Sequence, residues 1–470
     1  MRTRFRHALP VIAGASAMSL LAACSSSSPS TPSSTATTAS SSASSSSSAQ
    51  ASASPSASVL AGANCSSSSV HLTFWAWVPG LDRAVTEYNS THPGVCVTLE
   101  DPGAGEAEYT LLNNSLKAGT GAPDVAEVEF DELPSFEIQK YLVNLVPYGA
   151  NTYKSDFASW AWSQVSQGSA VYAMPSDFGP EAFYYDQQTL AKYKITPPST
   201  WSELATDAVK LHSENASAYL MNFNANDTQW LMDLMAQDGA WPFKYNGGSD
   251  ITIDWTGPAQ ETFAAFWQKL IDEKAVGLFN DAGTEVDTNL DNGTLSAAIF
   301  SAWAPSYFVA DVKKSLGQWR AAALPQWTAG ANVGADWGGS TYPVFSQTKY
   351  PQQAAAFSEW LTSSATSWNI VKTPPSSLFP TYLPTLESAS FKALTYPISG
   401  GSQPNAVFSA GALTIPSFTW PPFMTQVLNQ QPTTFGGVLT GKETLQQAFS
   451  ALQSQEVSYA KAQGFTVTSG

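Results

Sequence analysis

The order of apolar and polar positions divides the chain into three parts. Residues 8–23 are mostly apolar and follow Arg2, Arg4 and Arg6, which is typical of a secretion signal. The apolar stretch is short for a membrane-spanning helix, which needs about 20 apolar residues. Residues 25–60 carry no charge and consist almost entirely of Ser, Ala, Thr and Pro. Because such a tract cannot bury a core, we expect residues 24–65 to form a disordered tether before a folded part.

Strand and helix patterns alternate where the folded part begins. β-branched and aromatic runs predict strands, and amphipathic stretches between Gly and Pro breakers predict helices. In chain order these are a strand at 70–77, a helix at 81–91, a strand at 95–100, a helix at 106–118 and a short buried strand at 123–128. This β-α-β-α-β order predicts a parallel sheet with right-handed crossovers.

Later segments continue to mix the two types, without a repeat of fixed period. The pattern predicts a helix at 202–214, capped by Ser199 or Thr200, and a longer one within 257–276. It also predicts a buried strand within 295–303 and a helix at 354–363. The folded part, about 400 residues long, is therefore α/β with two or three domains.

Charge and composition narrow the function classes. The chain has 21 Lys and Arg against 37 Asp and Glu, which gives a formal net charge of −16. A chain this acidic lacks the cationic surface that nucleic acid or polybasic membrane docking requires. It also contains 16 Trp, more than we expect a core alone to need.

The three cysteines suggest an anchor and a bridge. Leu21-Ala22-Ala23-Cys24 resembles a bacterial lipobox, which implies removal of residues 1–23 and a lipid on Cys24. The alternative is an ordinary signal peptide with an incidental cysteine. Cys65 and Cys96 each lie close to a predicted strand, and outside the cytoplasm they could form a disulfide or remain two free thiols.

No motif for catalysis, metal binding or cofactor binding is present in the sequence. There is no nucleophile elbow, no zinc motif, no P-loop and no complete G-x-G-x-x-G. We therefore predict no metal, no cofactor and no enzymatic activity. Acid pairs such as Glu129 and Asp131 keep a secreted glycoside hydrolase open as a lesser alternative.

Five stretches in order resemble family 1 extracellular solute-binding proteins, which are related to maltose-binding protein. GTGAPDVAEVEFDELPSFEIQKYLVNLVPY (119–148) is similar to the family's "G-T-x-P-D-V … L … G-x-L-x-x-L" region. The others are FWAWVPGLDRAVTEYNSTHPGVCV, GSAVYAMPSDFGPEAFYYDQQTLAKYKITPPSTWSEL, DNGTLSAAIFSAW, and ALPQWTAGANVGADWGGSTYPV followed by PQQAAAFSEWLTS. Lys140-Tyr141 and Asp186 depart from the family, which often has Ala-Gly and Asn there.

The resemblance implies a two-lobe, type II periplasmic-binding-protein-like α/β fold in which the chain crosses between lobes at hinges. The implied N-terminal lobe comprises 66–175 and 325–370, and the C-terminal lobe comprises 176–324 and 371–470. The implied function is a monomeric receptor that delivers a mono- or oligosaccharide to the permease of an ABC importer by cleft closure. It would sit at the outer face of the cytoplasmic membrane, held only by the lipid on Cys24. A polyol, a polyamine or another small solute remains the alternative ligand.

Sugar recognition needs aromatic faces for C–H surfaces and carboxylates for hydroxyls. Candidates lie at strand ends, in the presumed crossings and at positions that match the family's motifs; a core role is the alternative for each Trp, and a helix N-cap for Asp131. The expected ligand-binding residues are Trp75, Trp77, Glu129, Asp131, Asp177, Phe178, Asp227, Trp230, Trp303, Trp337, Gly338 and Trp420.

Overall fold

A computed structural model describes residues 58–62, 70–280 and 284–469. The predicted signal segment, the predicted tether up to residue 57, and both Cys24 and Cys65 lie outside the described residues. Cys96 is disulfide-bonded. Within the described ranges, no helix is both long and apolar enough to span a membrane.

The strands are short, and most have apolar residues on at least one face. In chain order they are β1 Ser58–Ala61, β2 Val70–Trp75, β3 Val95–Asp101, β4 Val125–Ala126, β5 Val128–Glu129, β6 Ser166–Gln167, β7 Ala170–Val171, β8 Ala173–Pro175, β9 Glu181–Asp186, β10 Phe243–Tyr245, β11 Asp250–Ile253, β12 Ala297–Ser301, β13 Trp319–Ala322, β14 Ser340–Pro343 and β15 Thr466–Ser469.

The helices lie between the strands along the chain, and they predominate from Pro351 onwards. They are α1 Leu81–Thr91, α2 Glu106–Ala118, α3 Leu133–Ile138, α4 Ser159–Gln164, α5 Gln187–Lys192, α6 Trp201–Glu214, α7 Thr228–Gln237, α8 Pro258–Asp272, α9 Glu285–Asp291, α10 Ala304–Asp311, α11 Pro351–Ser363, α12 Ala365–Val371, α13 Leu383–Leu386, α14 Ala389–Lys392, α15 Pro404–Ala412, α16 Met424–Leu439 and α17 Leu445–Ala462. Short 3₁₀ turns occupy Val146–Tyr148, Ala150–Asp156 and Pro397–Ser399.

The first sheet confirms the predicted parallel core and corrects the end of the tether. Its order is β1-β3-β2-β4, and β2 pairs in parallel with both β3 and β4. The strand β1 adds to the edge of the sheet, antiparallel to β3. The prediction that residues 24–65 are wholly disordered is therefore wrong for Ser58–Ala61, since the apolar residues of SVLA pair with β3 instead of remaining in the tether.

Three further sheets of three strands follow. The order β5-β14-β8 joins strands that lie about 165 to 215 positions apart along the chain, and β12-β9-β13 is antiparallel throughout. The third has the order β10-β11-β15, and β6 and β7 form a small ribbon. Apart from β6–β7 and β10–β11, which pair neighbouring segments, these pairings depend on contacts between distant parts of the sequence.

Two segments that connect the sheet β5-β14-β8 to the sheet β12-β9-β13 run side by side. Residues 176–180 leave β8 for β9, and 335–339 lead into β14. The Gly179 N–H donates to the Asp336 carboxylate at 2.8 Å, and the Trp337 N–H donates to the Gly179 carbonyl at 2.8 Å. A Cβ at Gly179 would overlap with the Trp337 carbonyl oxygen and the Ser301 hydroxyl, so the two segments touch backbone to backbone. Two adjacent crossings of this kind are expected at a hinge between lobes. The lobe boundaries themselves remain predictions.

Most tryptophans belong to the core. Eleven of the 16 are buried, and Trp77, Trp241, Trp303, Trp327 and Trp360 are partly buried and pack against the core. The expectation that tryptophan is too abundant for a core alone therefore stays a prediction that concerns these five part-buried residues, and a Trp in this chain needs its own evidence before it is assigned to a ligand.

Candidate functional site

Glu127 separates β4 from β5 and ties three segments together. The Trp77 and Val78 N–H groups donate to its Oε2 at 3.1 and 3.2 Å, and the Ser340 hydroxyl donates to its Oε1 at 3.1 Å. The side chain is fully buried, and this burial, reinforced by Asp177, raises the pKa of Glu127 to about 8. It fixes the exit of β2, where Trp77 lies.

Glu129 forms a reciprocal pair with Tyr109 of α2. The Tyr109 hydroxyl donates to Glu129 Oε2 at 2.9 Å and accepts from the Glu129 N–H at 3.0 Å. Burial raises the pKa of Glu129 to about 7. Trp77 packs edge-on against Tyr109, with 6.1 Å between ring centroids, so the predicted residues Trp77 and Glu129 meet on one tyrosine.

Asp131 and Glu132 reach segments that the sequence assigns to the other lobe. Gln229 on α7 donates to Asp131 Oδ2 at 2.7 Å, and Thr425 on α16 donates to Glu132 Oε1 at 2.7 Å. Asp131 Oδ1 is buried without a partner. Burial, and then the neighbouring carboxylate, raises the pKa of each to about 8. Asp131 does not cap α3, which has no side-chain cap.

Four more carboxyl groups converge from the connecting segments and from α7. Asp177 accepts from the Ser340 N–H at 3.2 Å, and burial raises the pKa of Asp177 to about 7. Burial and mutual repulsion raise the pKa of Glu181, Asp233 and Asp336 well above the usual range. The carboxylates of Glu181 and Asp233 are buried with neither oxygen hydrogen-bonded.

We call these eight side chains the acidic cluster. Its members are Glu127, Glu129, Asp131, Glu132, Asp177, Glu181, Asp233 and Asp336. Across the described ranges, the ion pairs are Lys269–Glu273 and Lys314–Asp291, and neither involves the cluster. No grouping of three or more His, Cys, Asp or Glu side chains in those ranges could hold a metal ion. The members of the acidic cluster therefore accept hydrogen bonds, and repulsion between neighbouring carboxylates helps to raise their pKa values.

Trp303 and Trp337 form an aromatic corner beside the cluster. Their ring centroids are 4.8 Å apart, and Trp303 Nε1 donates to the Trp337 carbonyl at 3.0 Å. Phe300 stacks on Trp337 at 5.7 Å. Gly338 has φ +92° and leaves 3.6 Å between a hypothetical Cβ and Trp303 Nε1. The fold thus brings together Trp303, Trp337 and Gly338, three of the expected ligand-binding residues.

Five predicted residues are engaged in other contacts. Phe178, Trp230 and Trp420 are buried among other aromatic rings, and Trp75 donates from its buried ring to Glu100 at 2.9 Å. Asp227 caps α7 by accepting from the Trp230 N–H at 2.8 Å. In this conformation the four aromatic side chains offer a ligand almost no surface, so packing explains their positions without a ligand.

A groove of about 670 Å³ opens between α2, α3, α16 and α17. Its walls combine aromatic rings with amide and hydroxyl groups, among them Tyr109, Asn113, Gln139, Phe423, Thr425 and Tyr459. None of the predicted residues lines it, but Tyr109 and Thr425 bond to Glu129 and Glu132 from its walls. The groove therefore borders the acidic cluster without containing it.

Sequence reasoning missed five carboxyl groups of the acidic cluster, Glu127, Glu132, Glu181, Asp233 and Asp336, and the Gln229 amide that donates to Asp131. Glu127 interrupts the buried strand pattern of PDVAEV, and Asp233 stands alone in the apolar helix TQWLMDLMAQ. A carboxylate inside an apolar element is a usable signal, because burial without a partner is costly. Glu181, Asp336 and Gln229 carry no such signal, since only the tertiary fold brings them to the cluster.

Known proteins resemble this chain in sequence and in fold. The family model described as "Bacterial extracellular solute-binding protein" matches residues 76–367. An arabinooligosaccharide-binding protein of Halalkalibacterium halodurans is 22% identical over 307 residues; the match covers 62% of this chain and 66%, just under two thirds, of the relative.

Solved structures extend the likeness over most of the chain. An ABC transporter-associated binding protein from B. animalis subsp. lactis Bl-04, in complex with beta-1,6-galactobiose, has a TM-score of 0.72 at 28% identity and covers 85% of this chain and 100% of its own. The galacto-N-biose-/lacto-N-biose I-binding protein from Bifidobacterium longum, in complex with lacto-N-biose, has a TM-score of 0.73 at 24% identity, with coverage of 86% and 100%. The predicted two-lobe α/β fold class is confirmed.

Proposed function

Because the chain belongs to the bacterial extracellular solute-binding protein family, we propose that it is a receptor that captures a mono- or oligosaccharide for an ABC importer. The observation that carries the proposal is the convergence of carboxylates and an aromatic corner on the paired connecting segments. Carboxylates accept hydrogen bonds from sugar hydroxyls, and indole rings cover C–H faces. The similar proteins named above, which bind oligosaccharides or were solved with disaccharides, support the same ligand class.

We place the ligand between the two proposed lobes, comprising 66–175 with 325–370 and 176–324 with 371–470. Asp131–Gln229 and Glu132–Thr425 bridge these lobes, so they would tighten or open as the cleft closes. The residues proposed to contact the sugar are Trp77, Glu129, Asp131, Asp177, Trp303 and Trp337. Closure selects one conformation, which the permease can recognise.

The cellular setting is proposed from the sequence. Residues 1–23 would be removed, Cys24 would carry lipid, and the chain would act as a monomer on the outer face of the membrane. The protein would bind its ligand without converting it. The Cys65–Cys96 bridge is supported by the bonded state of Cys96.

Ligand screening tests the proposal directly. The purified protein is titrated with mono- and oligosaccharides, polyols and polyamines while thermal unfolding and tryptophan emission are recorded. A ligand at 100 times its Kd adds about 2.7 kcal/mol to the free energy of unfolding. A saturable response to one saccharide class, with the sugar recovered intact, is the expected result.

Two variants localise the site. Trp303→Ala should weaken saccharide binding about tenfold or more, as removal of an aromatic anchor does. The matched control is Trp360→Ala, which alters another part-buried indole, one that packs on Tyr88 and His92. A response confined to polyols or polyamines would overturn the carbohydrate proposal, and recovery of a cleaved sugar would identify a hydrolase instead.

A further inference from the structure

The strand β1 joins the first sheet directly after the predicted tether. It runs antiparallel to β3 and pairs Ser58 with Asp101, the last residue of β3. From this pairing, and resting on the lipid anchor proposed for Cys24, we infer that β1 fastens the tether at the end of the sheet that carries the candidate site. The anchored protein would then hold this site towards the membrane.

The two ends of the first sheet carry different features. Because β2, β3 and β4 are parallel, their carboxyl ends lie together. There, Trp77 follows β2 and donates its N–H to Glu127, which follows β4, at 3.1 Å, and Tyr109 lies on the helix after β3. At the other end Val70 begins β2, and its N–H donates to the Gly94 carbonyl at 3.0 Å. We call these the site end and the far end.

The direction of β1 decides at which end the folded part is attached to the tether. Because β1 is antiparallel to β3, its first residue, Ser58, lies at the site end beside Asp101. Without this pairing the first strand of the sheet would be β2, which begins at Val70 at the far end. The 7 residues of β3 separate the two ends by about 20 Å. The strand β1 therefore moves the point of attachment along the whole length of the sheet.

Main-chain contacts hold β1 on β3. Side-chain burial contributes little, since Val59 and Leu60 are each 49% exposed. Gly62 follows β1 with φ +79°, and a Cβ there would overlap with the Val97 carbonyl of β3. The Gly62 carbonyl also accepts from the Thr98 hydroxyl at 3.4 Å. The chain that leaves β1 thus stays in contact with the next residues of β3.

A disulfide adds a covalent fastening further along β3. Cys96, the second residue of β3, is disulfide-bonded, and Cys65, which follows Gly62 by three positions, is its proposed partner. Terminal segments with few buried apolar contacts open most readily, so β1 needs such a fastening to stay paired. A pull on the lipid would then reach the fold at the site end, through β3, and not at the far end, through β2.

Attachment at the site end changes how the protein meets a permease. A Ser- and Ala-rich chain as long as residues 24–57 has a root-mean-square span of about 30–35 Å when it is flexible. A displacement of about 20 Å is a large part of that span, so the choice of end decides whether the candidate site lies near the membrane. Under the proposed function the permease lies in the same membrane, and proximity raises the effective concentration of the site there.

Two labelled forms of the lipid-anchored full chain test the inference. Ala107→Cys places a fluorescent donor at the site end, and Thr91→Cys places one at the far end; both positions are exposed. Energy transfer is measured to acceptors on the headgroups of phosphatidylcholine vesicles. The donor at position 107 should lie nearer to the membrane, by up to about 20 Å. Equal transfer from both positions, or greater transfer from position 91, would overturn the inference.

Removal of the fastening tests the role of β1. Gly62→Ala combined with Cys65→Ser and Cys96→Ser should free β1, move the attachment to Val70 and abolish the excess transfer from position 107. Gly94→Ala is the matched control, because a Cβ there meets nothing within 4 Å and β1 stays paired. Excess transfer that persists in the folded triple variant would contradict the inference.

Saccharide titration of the same labelled proteins separates this inference from the proposed function. The expected order of the two donors without any saccharide binding would overturn the receptor proposal alone. Saccharide binding with the opposite order would overturn this inference alone. A chain that does not associate with the vesicles lacks the anchor on which the inference rests, and this result would overturn it as well.

Discussion

At the scale of single residues, Glu127 shows how one buried carboxyl holds several segments of the candidate site in place. It accepts two backbone N–H groups at the end of β2 and a hydroxyl from β14. These bonds hold Trp77 next to Tyr109 and Ser340 next to Asp177. The loss of this acceptor would leave two buried N–H groups unsatisfied, whereas an amide could replace it.

Glu127→Ala should lower the free energy of unfolding by about 2–4 kcal/mol, since each orphaned buried donor costs about 1–3 kcal/mol. Glu127→Gln retains an acceptor oxygen and should lose less than half as much. Urea denaturation of both variants measures the difference. Equal losses would show that the charge, and not the acceptor, is what matters.

Gly179 is constrained by the backbone that faces it. Gly179→Ala would force its Cβ into the Trp337 carbonyl, and overpacking of this kind costs about 1–3 kcal/mol. Gly94→Ala is the matched control, because a Cβ there meets nothing within 4 Å. Thermal melts should separate the two variants clearly; similar melts would mean that the connecting segments can move apart without cost.

At the scale of elements, local signals set the bounds of helices well. Helix α6 begins at the predicted Thr200 cap, whose hydroxyl accepts from the Glu203 N–H at 3.1 Å while Glu203 accepts from the Thr200 N–H at 3.2 Å. This reciprocal pair satisfies two N–H groups that the helix itself leaves free. The predicted helix at 106–118 is likewise confirmed.

Thr200→Ala should destabilise the protein by about 1 kcal/mol through the loss of this cap. Thr206→Ala on the same helix removes a hydroxyl that only donates to the Ser202 carbonyl one turn back, so it should change stability by less than about 0.5 kcal/mol. Chemical denaturation of the pair gives the comparison, and a Thr206→Ala loss as large as that of Thr200→Ala would contradict the capping role.

The sequence could predict elements and the parallel part of the first sheet, but neither its edge strand β1 nor the assembly of the site. Periodicity and breakers predict β2, β3, α1 and α2, because these depend on neighbouring residues. The pairing of β14 between β5 and β8 depends on segments far apart in sequence, and it is what brings Ser340 to Glu127. Trp230 and Trp420 show the converse error, since an indole in a plausible loop can equally fill the core.

At the scale of the whole molecule, the buried acids make the free energy of unfolding depend on pH. Burial raises the pKa of Glu127, Asp131, Glu132 and Glu456 to about 8, whereas unfolded Asp and Glu titrate near about 4. Between these values the folded state binds more protons than the unfolded state, so stability falls as pH rises.

The melting temperature of the ligand-free protein should therefore fall from about pH 5 to about pH 8 at constant ionic strength. Glu456→Gln should make this pH dependence shallower, because it removes a single group whose pKa is shifted by burial. The number of protons released on unfolding should fall by up to about one. Differential scanning fluorimetry across the range measures both effects. A melting temperature that rises with pH would show that the acids are ionised in the folded state.

The contact between Gly179 and Trp337 also limits how this sequence can diverge. Any side chain at Gly179 collides with main-chain atoms, which no neighbouring mutation can make smaller. Gene duplicates that acquire new ligands should therefore keep this glycine and the adjoining backbone path. Their sequences should instead vary at side chains such as Trp303 and Gln229, which belong to the proposed site and can change without separating the two connecting segments.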